Sequence, residues 1–73
     1  MTRLIIPGTT LSTVANLKRG DVAGLFPYTT DMCMIRRVKP APRDGVYVTY
    51  RWSPAGRLHR IRMPAKNTVQ IGL

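Results

Sequence analysis

The sequence contains no glutamate, and three aspartates are its only acidic residues. Against them stand twelve Lys and Arg side chains, which give a formal net charge of +9 at neutral pH. Self-repulsion on this scale favours an anionic partner, whereas a surface that serves only solubility usually mixes both signs. The composition therefore predicts a protein that binds a polyanion.

Cysteine and histidine are also scarce, since Cys33 and His59 are the only examples of each. One cysteine cannot form an internal disulfide, and one cysteine with one histidine cannot supply the four ligands of a usual structural zinc site. No carboxylate lies near His59 in the sequence to orient it, and no motif around Cys33 indicates a thiolate nucleophile. We therefore expect no metal site, no cofactor and no enzymatic activity.

Long apolar runs are missing as well. Residues 1–6 are too short for a secretory signal, and no later stretch approaches the roughly 20 apolar residues that cross a bilayer. A free thiol agrees with a reducing compartment. These features predict a cytoplasmic protein that makes no use of a membrane. Its 73 residues have room for one domain, residues 1–73, with one modest core.

Proline and glycine occur at short intervals along the whole chain, a spacing typical of short strands joined by turns. The strands predicted outside the central hairpin cover residues 9–14, 22–26, 32–39 and 69–73. Residues 11–18 have an alternative interpretation as a helix. Pro40 and Pro42 should end the strand at residues 32–39, because proline breaks a strand ladder. Residues 65–68 have room for a short helical turn.

The clearest local pattern lies between residues 46 and 63, where side chains alternate as in half-buried strands around a Ser-Pro-Ala-Gly turn at residues 53–56. The pairs predicted to face the core are Val46 with Met63, Val48 with Ile61, Tyr50 with His59 and Trp52 with Arg57. The outward pairs are Tyr47 with Arg62, Thr49 with Arg60 and Arg51 with Leu58. A slip of one residue would bury Arg60 and Arg62, so the cost of burying charge selects this register.

The outward face of this hairpin is the predicted binding site. Arg51, Arg60 and Arg62 have no acidic partner there and repel one another unless an anion is bound. Phosphate contacts from these guanidiniums, together with base stacking on Tyr47, would form a nucleic-acid site. The residues expected to widen it are Arg36 and Arg37 on the neighbouring strand and Lys39 and Arg43 near the next loop.

A core this small needs its large side chains and further apolar contacts. We expect Trp52 and Tyr50 to fill the core or its rim, with Arg57 stacked on the indole. Apolar residues 4–6 and 71–73 adjoin this core. We therefore also predict a homodimer that forms through an uncovered edge strand.

Two motifs resemble those of SH3-like small barrels, a group that includes KOW-type domains and many readers of nucleic acids and peptides. Residues 17–22, Leu-Lys-Arg-Gly-Asp-Val, are similar to the Leu-x-x-Gly-Asp-Val opening of such barrels. Residues 63–69, Met-Pro-Ala-Lys-Asn-Thr-Val, are similar to the Pro-x-Asn-Tyr-Val stretch that carries a short helical turn before the last strand.

The resemblance covers roughly residues 15–73 and implies an all-β fold, a small five-stranded SH3-like barrel with that helical turn. Thr68 replaces the tyrosine of the second motif, and the acidic loop that meets basic peptides in SH3 domains is missing. The resemblance therefore implies the barrel and not a proline-rich ligand. Basic barrels of this group commonly contact RNA or DNA.

Three functions are compatible with these patterns. Nucleic-acid binding predicts a strong, salt-sensitive affinity for DNA or RNA. A protein-interaction module, for example an inhibitor encoded by a phage or plasmid, would dock on one acidic partner protein and bind nucleic acid weakly. An enzyme comes third, because the few carboxylates lie away from His59 in sequence. A homo-oligomer would make the enzyme hypothesis plausible again, because a catalytic site could then form in a pore between subunits.

Overall fold

The computed structural model describes residues 5–72, and it confirms the all-β class. Six strands form one antiparallel sheet: β1 (Thr9–Thr13), β2 (Val22–Gly24), β3 (Cys33–Ala41), β4 (Gly45–Arg51), β5 (His59–Pro64) and β6 (Thr68–Gly72). Their order across the sheet is β1-β6-β2-β3-β4-β5. A 3-10 helix, Val14–Asn16, follows β1. The described part of the chain has no helix with the length and apolar character to span a membrane.

The architecture differs from the expected five-stranded barrel in its strand count and in its closure. The described residues form six strands, and the sheet is open, with β1 and β5 as its two edges. The reason lies in the pairing of β1, which runs along β6 over its whole length from Thr9 to Thr13. This pairing adds a sixth strand beside β6 and leaves β5 with β4 as its neighbour in the sheet.

The short helical turn also lies at a different place. Residues 65–67 form a simple turn, Thr68 already belongs to β6, and the helical turn is Val14–Asn16 after β1. The N–H groups of Val14 and Ala15 donate to the carbonyls of Asn67 and Ala65 at 2.9 and 3.2 Å. The expected helical segment thus accepts bonds from another part of the chain. Residues 9–14 are a strand up to Thr13, and the alternative helix at 11–18 is reduced to this one turn.

The hairpin of β4 and β5 has the predicted register. Val46 pairs with Met63 and Val48 with Ile61, and the ladder continues to Tyr50 opposite His59. The core-facing members Val46, Val48, Tyr50 and Met63 are buried, while Ile61 packs partly buried against them. In the turn, the N–H of Gly56 donates to the carbonyl of Ser53 at 2.9 Å. Alternation and turn chemistry were sufficient to place this hairpin.

The ladder is shorter than predicted at its tip. β4 ends at Arg51 and β5 begins at His59, so the expected pair of Trp52 with Arg57 falls outside it. Trp52 and Arg57 are both exposed there, as is His59. The prediction that the inward face continues to this pair is therefore wrong, because the turn leaves these residues at the solvent boundary.

β3 continues through Pro40 to Ala41, so the prediction that Pro40 ends this strand is wrong. The pairing of β2 with β3 is limited to Cys33 and Met34, at the start of β3. The later part of β3 has β4 as its partner on one side. Proline is tolerated on such an edge because its missing N–H is not needed by a second neighbour.

A β-bulge at Arg36 decides which side chains of β3 face outward. Ile35 pairs with Tyr50 and Arg37 with Thr49, so Arg36 is the extra residue. Strict alternation after the buried Ile35 would turn Arg37 towards the core and Val38 away from it. With the bulge, Arg36 and Arg37 are both exposed and Val38 packs against the core.

The apolar termini named for dimerisation are only partly described, since Leu4 and Leu73 lie outside residues 5–72. Within the described residues, the N–H of Ile6 donates to Gln70 Oε1 at 2.8 Å. Ile71 packs against the core. Ile6 and Ile71 thus have contacts within the chain, and dimerisation stays a prediction.

Candidate nucleic-acid interface

The outward face of β3, β4 and β5 carries two rows of aligned residues. The register places Arg37, Thr49 and Arg60 in one row and Lys39, Tyr47 and Arg62 in the next. Side chains aligned across adjacent strands project from the same face of a sheet. The face predicted from the hairpin alone therefore extends onto β3, and the bulge is what places Arg37 on it.

Three cations converge on this face. A concavity of about 60 Å³ is lined by Arg37, Lys39, Tyr47, Thr49 and Arg60, with no acidic residue among them. A cavity of this size has room for a few water-sized groups. Because the cations repel one another, a small oxyanion seated between them lowers the electrostatic energy of the site.

Tyr47 supports one of these cations. The guanidinium carbon of Arg60 lies 4.8 Å from the centroid of the Tyr47 ring, within the distance of a cation–π contact. The ring thereby holds Arg60 beside the concavity. Tyr47, which the sequence predicts as a base-stacking residue, positions a cation in the unbound protein.

Arg62 is on the predicted face, but its guanidinium is already in use. Its Nη2 donates to the carbonyls of Pro42 and Arg43 at 2.6 and 3.2 Å. These residues belong to the β3–β4 turn, in which Arg43 and Asp44 have positive φ angles of 59° and 54°. Arg62 therefore braces this turn, and only its other N–H groups are free to meet a phosphate.

Arg51 lies at the other end of the face. Its Nη1 donates to the carbonyl of Pro54 at 2.8 Å, and its Nε is buried with no hydrogen-bond partner among residues 5–72. Together with Arg36 and Asp21 it lines a separate concavity of about 360 Å³. The structure thus groups Arg51 with Arg36 and not with Arg60, because the hairpin turn supplies the carbonyl that holds its guanidinium.

Five rings, which we call the aromatic cluster, meet at the tip of the hairpin. Phe26 and Tyr28 are stacked at a centroid distance of 5.5 Å, as are Tyr50 and His59. Trp52 contacts Phe26 and Tyr50 at 5.8 and 5.7 Å. Trp52 is 41% exposed, in agreement with the predicted rim position. Phe26 and Tyr28 could not be predicted as members of this cluster, since no local sequence pattern links the loop after β2 to the hairpin.

The single thiol is buried in the core. Burial raises the pKa of Cys33 to about 11, so it is a neutral thiol at neutral pH. Burial also raises the pKa of Tyr50. Within residues 5–72, no group of three His, Cys, Asp or Glu side chains is placed to hold a metal ion.

The fold and the site define a small all-β protein with an open sheet and a basic concavity on one face. No family model matches the chain, and neither a curated protein nor a solved structure is significantly similar to it. Its function has to follow from this geometry, and the resemblance to SH3-like barrels stays a prediction.

Proposed function

We propose that this protein binds nucleic acid through the outward face of β3, β4 and β5. The observation that supports the proposal is the concavity where Arg37, Lys39 and Arg60 converge with no acidic residue in its lining. Phosphate groups would neutralise these cations and release counterions from the nucleic acid. A cytoplasmic location, as the sequence favours, belongs to the same proposal.

The cations form a track along the face. β4 spans seven residues, or about 20 Å at 3.3 to 3.4 Å per residue. Arg43 and Arg62 lie at the β3–β4 turn, the concavity follows, and Arg36 and Arg51 lie towards the hairpin tip. A track of this length suits several successive phosphates of a strand, whereas a single small anion would use only the concavity.

Salt dependence of affinity tests this proposal. For each phosphate contact, the logarithm of affinity should fall with the logarithm of salt at a slope of about −0.9 for duplex DNA or about −0.7 for single strands. Arg37→Ala and Arg60→Ala should each flatten the slope by nearly one unit. Lys18→Ala is the matched control, because Lys18 is exposed but lies in the loop before β2.

The proposal fails if a variant that lacks Arg37, Lys39 and Arg60 folds normally and binds nucleic acid as the parent does. A normal melting transition in that variant establishes that its binding was measured on folded protein. The basic face would then be only a solvated surface.

A second function, docking on an acidic protein, is favoured by a different observation. Within the sheet formed by residues 5–72, the outer edge of β5 has no neighbouring strand, and beside it lies a groove of about 510 Å³ whose lining includes Phe26, Ile61 and Met63. An extended acidic segment would add to this edge and place carboxylates near Arg60 and Arg62. Pull-downs with and without nuclease separate the two functions, because a protein partner is still recovered after nuclease treatment and a nucleic acid is not.

A further inference from the structure

We infer that the nucleic acid is single-stranded and that its unpaired bases stack on the aromatic cluster of Phe26, Tyr28, Tyr50, Trp52 and His59. The inference rests on the proposed nucleic-acid function. It adds the class of substrate and a second contact surface on the opposite face of the hairpin.

The rings of the cluster are held in place by one another. Phe26 is the central member, with centroid distances of 5.5 Å to Tyr28, 5.9 Å to Tyr50 and 5.8 Å to Trp52. Tyr50 also meets Trp52 edge to face, at an interplanar angle of 87°, and stacks on His59. Rings fixed in this way before a ligand arrives lose little conformational freedom on binding.

The outer rings are open to solvent. Tyr28 is 75% exposed and Trp52 is 41% exposed, whereas Tyr50 beneath them is buried. Two large exposed rings that share Phe26 as a support form a patch, and such patches mark binding surfaces more often than scattered apolar side chains do. Nucleobases are flat ligands that stack on such rings, and they are carried on a phosphate backbone, which the net charge of +9 attracts.

The position of the cluster relative to the basic concavity selects a single strand. The pair Thr49 and Arg60 is adjacent in the ladder to the pair Tyr50 and His59, and successive side chains of a strand project from opposite faces. β5 is an edge strand, so a chain that leaves the concavity can pass round this edge to the cluster. A duplex is too stiff for this path and keeps its bases paired, while a single strand is flexible.

The fluorescence of Trp52 reports stacking directly, because it is the only tryptophan of the chain. The two probes are a single-stranded oligothymidylate and an abasic oligonucleotide with the same number of phosphates. We expect the oligothymidylate to quench Trp52 and to bind about tenfold more tightly, a ratio equivalent to about 1.4 kcal/mol. The abasic strand should bind through the basic face and leave Trp52 unquenched.

Three variants locate the effect. Tyr28→Ala should remove most of the preference for oligothymidylate but leave the affinity for the abasic strand and the salt slope unchanged. Tyr28→Phe retains the ring and should retain the preference. Leu58→Ala is the control, because Leu58 is an apolar side chain that is 51% exposed near the same hairpin turn. It should change neither the preference for oligothymidylate nor the affinity for the abasic strand.

Equal affinity for both probes with unchanged Trp52 fluorescence would overturn the stacking inference and leave the proposed function standing. The same holds if duplex DNA binds more tightly than the oligothymidylate of equal phosphate number. If the folded protein binds none of these probes, both the stacking inference and the proposed function are wrong.

Discussion

The guanidinium of Arg62 lies in the space that a side chain on Gly45 would need. A Cβ built on Gly45 would meet Arg62 Cζ at 2.5 Å. The same guanidinium donates to the carbonyl of Pro42 at 2.6 Å, so it fastens β5 to the β3–β4 turn. A side chain at position 45 would fit only if this guanidinium moved away from the carbonyls that hold it.

Gly45→Ala should therefore destabilise the protein by displacing Arg62. We expect the free energy of unfolding to fall by about 1 to 2 kcal/mol, the worth of the displaced hydrogen bonds to Pro42 and Arg43. Chemical denaturation measures this loss. In an Arg62→Ala background the same substitution should cost less, because the obstructing group is gone, and purely additive effects would contradict the coupling.

The β3–β4 turn should become more stable with residues suited to its backbone. Arg43 and Asp44 have positive φ angles of 59° and 54°. Two successive positive φ angles are typical of a type I′ turn, in which Asn-Gly is the preferred pair of residues. The double substitution Arg43→Asn and Asp44→Gly should raise the free energy of unfolding by about 1 kcal/mol. Ala55→Gly is the control, since that residue has no positive φ and glycine there should lower stability. A lower free energy of unfolding in the double variant would show that the positive φ angles of Arg43 and Asp44 do not strain the turn.

The β3–β4 and β4–β5 hairpins differ in how much of their structure could be predicted from local sequence patterns. The β4–β5 hairpin could be predicted because alternation and the turn at residues 53–56 are both encoded locally. β3 itself could be predicted, but its continuation through Pro40 and its bulge could not, since Pro40 is tolerated where β2 no longer pairs with β3, and the bulge at Arg36 depends on pairing with β4. These are tertiary relationships that no window of sequence contains.

The candidate site, too, could be predicted from the sequence only in part. Arg60 and Tyr47 could be placed on one face from the period of the strands, and the structure does place them there. The engagement of Arg62 and Arg51 with turn carbonyls could not be foreseen, because it depends on the path of the main chain around each turn. Three arginines that look equivalent in sequence therefore differ in how freely they meet a ligand.

Alkaline pH should destabilise the protein through Cys33. Burial raises the pKa of this thiol from 9.0 to about 11 in the folded state. Because the folded pKa is the higher one, the stabilising contribution of the neutral thiol is complete below pH 9 and is lost as the pH rises through about 11. The pKa of Tyr50 is raised too, so its contribution changes in the same direction.

Cys33→Ala separates the two contributions. The free energy of unfolding of this variant should depend less on pH than that of the parent over the interval from 9 to about 11. The slope that persists belongs to Tyr50 and to the other titrating groups. An identical pH dependence in parent and variant, measured by denaturation at several pH values, would show that the thiol makes no such contribution.

The contact of Arg60 with the Tyr47 ring makes a final prediction about binding. Tyr47→Ala releases the guanidinium, so affinity for a phosphate chain should fall about two- to fivefold, the equivalent of about 0.5 to 1 kcal/mol for an exposed cation–π pair. The salt slope should not change, because Arg60 still neutralises a phosphate. Tyr47→Phe should bind as the parent does, and in an Arg60→Ala background the loss caused by Tyr47→Ala should disappear. If Tyr47→Ala instead weakens only strands that carry bases and spares an abasic strand, the ring stacks on bases and does not act by positioning Arg60.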